Sequence, residues 1–169
     1  MASKTTHFGR AGEFFAMSEF LLRGWNVAVP VVDVGDDVFV IDDNDKTTYR
    51  LQVKSAEPKE RPGARYSASF SLSRKQLDTI SRIELFYMLL IRVSPGWRYL
   101  VFPRDELAAI REAFEKRPRE GRGRPPTTDG TDNDKLSLVV DFDEHGAMGW
   151  GVSLNAFLDQ WPDQLPDLG

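Results

Sequence analysis

Asp37, Gln52 and Lys54 are the residues whose types and spacing best suit chemistry on a charged oxygen ligand. Asp37 to Asp42 is rich in β-branched and aromatic side chains, Asp43-Asn44-Asp45-Lys46 is turn chemistry, and Thr47 to Ala56 returns with alternating character. A four-residue loop pairs Asp42 with Thr47 and sets Asp37 directly opposite Gln52. Lys54, two residues further, shares the face of Gln52. The same register places Val38 and Val40 opposite Leu51 and Val53, an apolar face fit for a core. Asp37, Gln52 and Lys54 then converge on the other face, with opposed β-carbons about 5 Å apart and the diagonal pair about 7–8 Å apart. An acid, an amide oxygen and an ammonium at one sheet edge suit a hard cation and a phosphate. Asp36 is the rival aspartate, but a one-residue slip would turn the whole hydrophobic set outward.

The surrounding elements must hold that hairpin in place. Phe8 to Arg23 reads as an amphipathic helix with Phe14, Met17 and Leu21 on one stripe and Gly24 as its stop. Trp25 to Val32 is an extended run interrupted by Pro30, suited to a sheet edge. Glu57 to Ala64 is a loop, Tyr66 to Leu72 a strand, and Ser73 the N-cap of a helix through Arg82 with Leu77 and Ile80 inward. The apolar run Phe86 to Val93 suits a strand buried on both faces. Trp97 to Phe102 is a further strand, Pro103 to Lys116 a helix, and Leu136 to Phe142 a late strand. Ser153 caps a final helix, and Pro162 and Pro166 end the order. The fold class expected is α/β, a mixed central sheet flanked by helices. It forms a single domain over 1–169: a core at 8–115, a flexible basic and polar insertion at 116–135, and a C-terminal strand and helix at 136–162.

Composition narrows the function classes. The chain has 169 residues, no cysteine and two histidines, His7 and His145. Disulfides and cysteine-held zinc are excluded, and a histidine-based triad has little support. The first residues carry no apolar segment of a signal peptide, and Leu85 to Ile91 is too short to span a bilayer, so a cytoplasmic protein is expected. The net charge of −4 is unevenly spread. Residues 1–124 hold 21 Lys and Arg against 17 acids, whereas residues 125–169 hold one Lys against nine acids. A basic body with an acidic tail is compatible with a polyanionic ligand.

The order Gly9-Arg10-Ala11-Gly12-Glu13, Gly24-Trp25, Gly35-Asp36-Asp37 and Gln52-Val53-Lys54-Ser55 resembles the PD-(D/E)xK nuclease superfamily. It is most similar to the branch with Gln-x-Lys as second motif, alongside Holliday-junction-resolvase-like and intron-endonuclease-like proteins. The resemblance covers about the first hundred residues and implies a restriction-endonuclease-like core. It implies a Mg²⁺-dependent endonuclease hydrolysing DNA phosphodiester bonds, on branched or otherwise structured DNA. Mn²⁺ would substitute, no nucleotide cofactor would be needed, and a homodimer is expected. Asp37 would be the metal-binding aspartate, Gln52 the second motif's ligand, Lys54 the catalytic lysine, and Glu13 the acid added from the helix.

The metal set would comprise Asp37, Gln52, the carbonyl of Val53, and Glu13 directly or through water. Arg117, Arg119, Arg122 and Arg124 offer phosphate contacts, or else form a solvated linker. Gln52 stands where the superfamily carries a carboxylate. That departure sustains an alternative, a catalytically weak or inactive protein of this fold that binds nucleic acid or a protein partner. Plainer roles stand beside these: Glu13 as an acid at a helix start, Gly9 and Gly12 as packing glycines, Ser55 pointing away from Lys54, and Trp97 and Tyr99 as core residues rather than base-stacking platforms.

Overall fold

The computed structural model describes residues 4–32, 35–63, 65–117 and 134–169. At its centre lies β6 (Leu85–Val93), buried from Leu85 to Ile91 as its continuous apolar composition requires. Its side chains alternate between two cores. Leu85, Tyr87, Leu89 and Ile91 enter one, and Phe86, Met88 and Leu90 the other.

Two five-stranded sheets are present among the described residues. The mixed sheet runs β1 (Asn26–Ala28), β2 (Val38–Ile41), β3 (Thr48–Ala56), β6 and β7 (Gly96–Pro103). Only β3 and β6 pair in parallel; the other neighbours are antiparallel. The second sheet is antiparallel: β4 (Lys59–Arg61), β5 (Arg65–Ser73), β8 (Lys135–Asp143), β9 (Gly146–Gly149) and β10 (Val152–Ser153). One core fills the space between the sheets and takes Leu107 of α3 (Arg104–Glu115); the other lies between the mixed sheet and α1 (Lys4–Leu22). The α/β class with a mixed central sheet therefore holds. A second sheet was not foreseen. Residues 135–143, expected as a late strand, pair along the whole of β5, and β4 forms inside the expected Glu57–Ala64 loop.

The first helix is in place, but its inward stripe differs from expectation. Gly12, Ala16 and Phe20 are buried at a spacing of four, whereas Phe14 and Leu21 are more than half exposed. The reason is proximity: a Cβ on Gly12 would lie 1.9 Å from Ser55 Oγ on β3. At Gly12 the helix lies too close to β3 for a side chain, whereas Phe20, two turns on, enters the core whole. Gly9 meets nothing within 4 Å, so it plays no such part.

Two further expectations are corrected. The helix capped by Ser73 is short, α2 (Arg74–Asp78), because Thr79 is already extended at φ −80, ψ 116. Leu77 is buried as expected, but Ile80 is 80% exposed. The final helix does not form either. Residues 154–159 turn along the outer edge of β7, where Leu158 bridges Leu100 and Asp159 exchanges hydrogen bonds with the Tyr99 backbone. An open strand edge offers those backbone groups partners that a short helix would forgo. Order continues past Pro162 and Pro166. Leu165 is fully buried, and the Pro166 carbonyl accepts from the Trp25 indole at 2.8 Å.

Candidate active site

The β2–β3 register is the one read from the turn: Val38 pairs with Leu51 and Ile41 with Thr48, and Asp37 N donates to Leu51 O at 2.9 Å. One detail changes. Val40 lies opposite Tyr49, while Val53 shares the buried face without facing a β2 valine. β2 begins at Val38, yet β3 runs on to Ala56. Asp37 therefore sits at the corner where the β3 edge loses its partner, and its side chain turns back onto β3. Its Oδ2 accepts from Val53 N at 2.7 Å and from the Gln52 side-chain amide. Gln52 is 4% exposed, so this partner satisfies an otherwise costly buried amide.

Gln52 and Lys54 line the floor of a cleft of about 520 Å³. Ser55, the intervening-parity neighbour, points the other way onto Gly12, as alternation requires. Glu13, on α1, lies outside the cleft lining but within Coulombic reach of Asp37 and Lys54. Burial raises its carboxyl above the ordinary value of 4.5, and the Asp37 charge raises it further; Arg10 and Lys54 pull the other way. Glu13 also accepts a short hydrogen bond from Arg10. Three of the four predicted residues, Asp37, Gln52 and Lys54, thus line one cleft, while Glu13 is not part of its lining and acts on Asp37 and Lys54 through charge.

Several residues of the cleft were not foreseen. Asp36 is buried and belongs to Arg50, whose Nη1 lies 3.3 Å from Asp36 Oδ2 and whose Nε donates to Ile83 O at 3.1 Å. The two aspartates have divided roles: Asp36 anchors the wall, and Asp37 faces the β3 edge. Gln76 of α2 donates its amide to Gly35 O and accepts from the Tyr87 hydroxyl at 3.3 Å, which ties the aspartate-bearing loop to β6. Burial pushes the Tyr87 phenol far up, so it stays a neutral donor. Alternation could have found Arg50, which shares parity with Gln52 and Lys54. Nothing in the sequence placed Gln76 beside Gly35.

The remaining expected contacts divide. Arg117 donates to Gly151 O at 2.9 Å, at the turn between β9 and β10. Arg119, Arg122 and Arg124 lie outside the described residues. Trp97 packs against Phe8 and Phe15, and the Tyr99 hydroxyl accepts from Trp161, so both serve the α1 side of the sheet.

Hard oxygen donors dominate this corner, from Asp37, Glu13 and the Gln52 amide. Among the described residues no group of three or more His, Cys, Asp or Glu side chains suits a metal ion. Two carboxylates with an amide oxygen is a smaller set, of the kind Mg²⁺ accepts while retaining waters. The Glu13 carboxyl is raised first by burial and second by the Asp37 charge, and a cation would offset that second part. The donors fit such an ion provided the Gln52 amide turns over, so that its oxygen rather than its nitrogen faces Asp37's side of the site.

No family model and no curated protein matches the chain. Among solved structures, the bacterial homing endonuclease I-Ssp6803I is similar at 18% identity and a TM-score of 0.46, over 78% of this chain and 86% of that one. Among the described residues no helix is long and apolar enough to cross a membrane.

Proposed function

We propose that the protein is a metal-dependent endonuclease, with a restriction-endonuclease-like core, hydrolysing phosphodiester bonds of branched or otherwise structured DNA as a homodimer. The observation that carries this reading is the convergence of Asp37, Gln52 and Lys54 on one cleft at the open corner of β3, with Glu13 of α1 coupled to them through charge. Asp37, the Gln52 oxygen, the Val53 carbonyl and Glu13 would hold Mg²⁺, or Mn²⁺ in its place. When bound, the ion supplies Lewis acidity and a more acidic water. Lys54 orients the phosphate and offsets the charge that builds on its oxygens as a point charge without the fixed fork of arginine. Asp37's hydrogen bond from Val53 N fixes the carboxylate so that it need not reorganise as the phosphate reacts. Arg10, paired to Glu13, keeps that acid from drifting out of the corner.

Linear, branched and single-stranded DNA incubated with Mg²⁺, Mn²⁺ or EDTA test this directly. Cutting is expected only with metal, and Lys54→Ala should lower its rate on the order of 10²–10³-fold. Cutting that persists in EDTA, or a Lys54→Ala enzyme as fast as the parent, would sink the reading. The hydrogen bond from the Gln52 amide to Asp37 favours a second reading, since it satisfies the carboxylate with no cation present. In that case the chain binds nucleic acid or a protein partner without cleaving it. DNA binding equal in EDTA and Mg²⁺, with no cutting under any condition, selects this alternative.

A further inference from the structure

The cleft has a second wall, which the chemistry at β3 does not employ. Facing Gln52 and Lys54 stand Ser73, Lys75, Gln76 and Thr79, from α2 and its flanks. Three of these are committed within the protein. Ser73 Oγ donates to Asp134 Oδ2 at 2.7 Å and accepts from Gln76 N at 3.0 Å. Gln76 spans Gly35 and Tyr87, and Thr79 Oγ1 donates to Lys75 O at 2.6 Å.

Lys75 is different. Its backbone N–H is held by Asp134 Oδ1, which fixes where the side chain leaves the wall. The side chain itself is exposed in the cleft, and its ammonium makes no ion pair among the described residues. Asp134 acts on it through charge, and both Asp134 oxygens already accept hydrogen bonds, from Lys75 N and Ser73 Oγ. Across the cleft the Arg50 cation is taken by Asp36. Among the described residues that leaves Lys54 and Lys75 as the two cations presented to a ligand from opposite walls. The space between them, about 520 Å³, falls within the roughly 300–1,000 Å³ of small-ligand sites and exceeds the needs of one phosphate group.

We propose that Lys75 is a second phosphate-binding residue, holding a backbone phosphate next to the one engaged at Lys54. The inference rests on the nucleic-acid reading above and extends it: the cleft grips a strand at two points. A phosphate contact positions the strand without reading its bases, so the effect of Lys75 is uniform across sequences.

Fluorescence anisotropy with labelled duplex and single-stranded oligonucleotides, in EDTA across a KCl series, separates the possibilities without requiring catalysis. Lys75→Ala should weaken binding on the order of tenfold and reduce the salt slope by about 0.7–0.9. Lys75→Arg should restore both, and Lys59→Ala, an exposed lysine on β4, should leave both unchanged. If Lys75→Ala binds with the parent's affinity and slope while Lys54→Ala is impaired, Lys75 is not a phosphate residue and the nuclease reading survives. If the parent chain binds no oligonucleotide in any salt, either in EDTA or with Ca²⁺ in its place, both fall together. Lys75 is exposed, so loss of fold does not confuse the outcome.

Discussion

Asp37 carries two burdens, and substitution separates them. Its Oδ2 accepts from Val53 N and from the buried Gln52 amide, so Asp37→Ala leaves two donors unsatisfied. We expect that variant to lose metal-dependent cutting and also about 1–3 kcal/mol of stability in urea melts. Asp37→Asn keeps an acceptor oxygen for Val53 N; it should lose cutting while melting close to the parent. Equal activity of Asp37→Asn and parent would remove Asp37 from the chemistry. Glu13 is testable through pH. Its native carboxyl is raised, first by burial and then by Asp37, so ionising it costs the folded state. That cost is absent below the unfolded value of 4.5 and grows as pH rises through the native value. In EDTA, Glu13→Gln should therefore match the parent's melting temperature in acid and exceed it at neutral pH. A variant less stable than the parent at neutral pH would show that the Arg10 pair outweighs burial.

At the scale of elements, the contact of α1 with β3 sets how near Glu13 comes to the cleft. Gly12 lies against Ser55 Oγ, a buried hydroxyl with no hydrogen-bond partner among the described residues. Gly12→Ala drives a methyl into that oxygen, and we expect about 1–3 kcal/mol of destabilisation by overpacking. Ser55→Gly should restore most of it in the double variant, measured as the coupling energy of a double-mutant cycle. Additive losses would mean that the helix yields at some other point. The sheet elements were legible where local and tertiary demands coincide. The turn at Asp43–Lys46 and the alternation around it set the register of β2 and β3, and β6 is apolar throughout because it is covered on both faces. Helix faces were not. Phe14 and Leu21 look like a core stripe by composition, yet the close approach to β3 selects the small residues Gly12 and Ala16.

For the whole molecule, the last nine residues act as a strap across the α1 side of the mixed sheet. Leu165 is fully buried, Trp161 packs edge-on against Phe20, and Leu168 N donates to Arg23 O. Arg23 in turn stacks over the Trp161 ring at 4.3 Å from its centroid. The strap thus closes the core on which α1, and with it Glu13, depends. Leu165→Ala should cost about 2–5 kcal/mol in chemical denaturation. A loss under about 0.5 kcal/mol, the size expected for an ordinary surface substitution, would show that the strap is peripheral.

Local chemistry was sufficient for the hairpin and for the side chains on each of its faces. Period-two alternation is a property of the backbone, and Asp43–Lys46 allows one loop length, so Gln52 and Lys54 share a face whatever packs around them. Tertiary structure alone decided the rest. It coupled Glu13 of α1 to Asp37 and Lys54 through charge, gave Asp36 to Arg50, set α2 opposite β3, and paired β8 with β5 to form a second sheet. Each of these joins residues far apart in sequence, and their meeting depends on how layers stack rather than on any short stretch of chain.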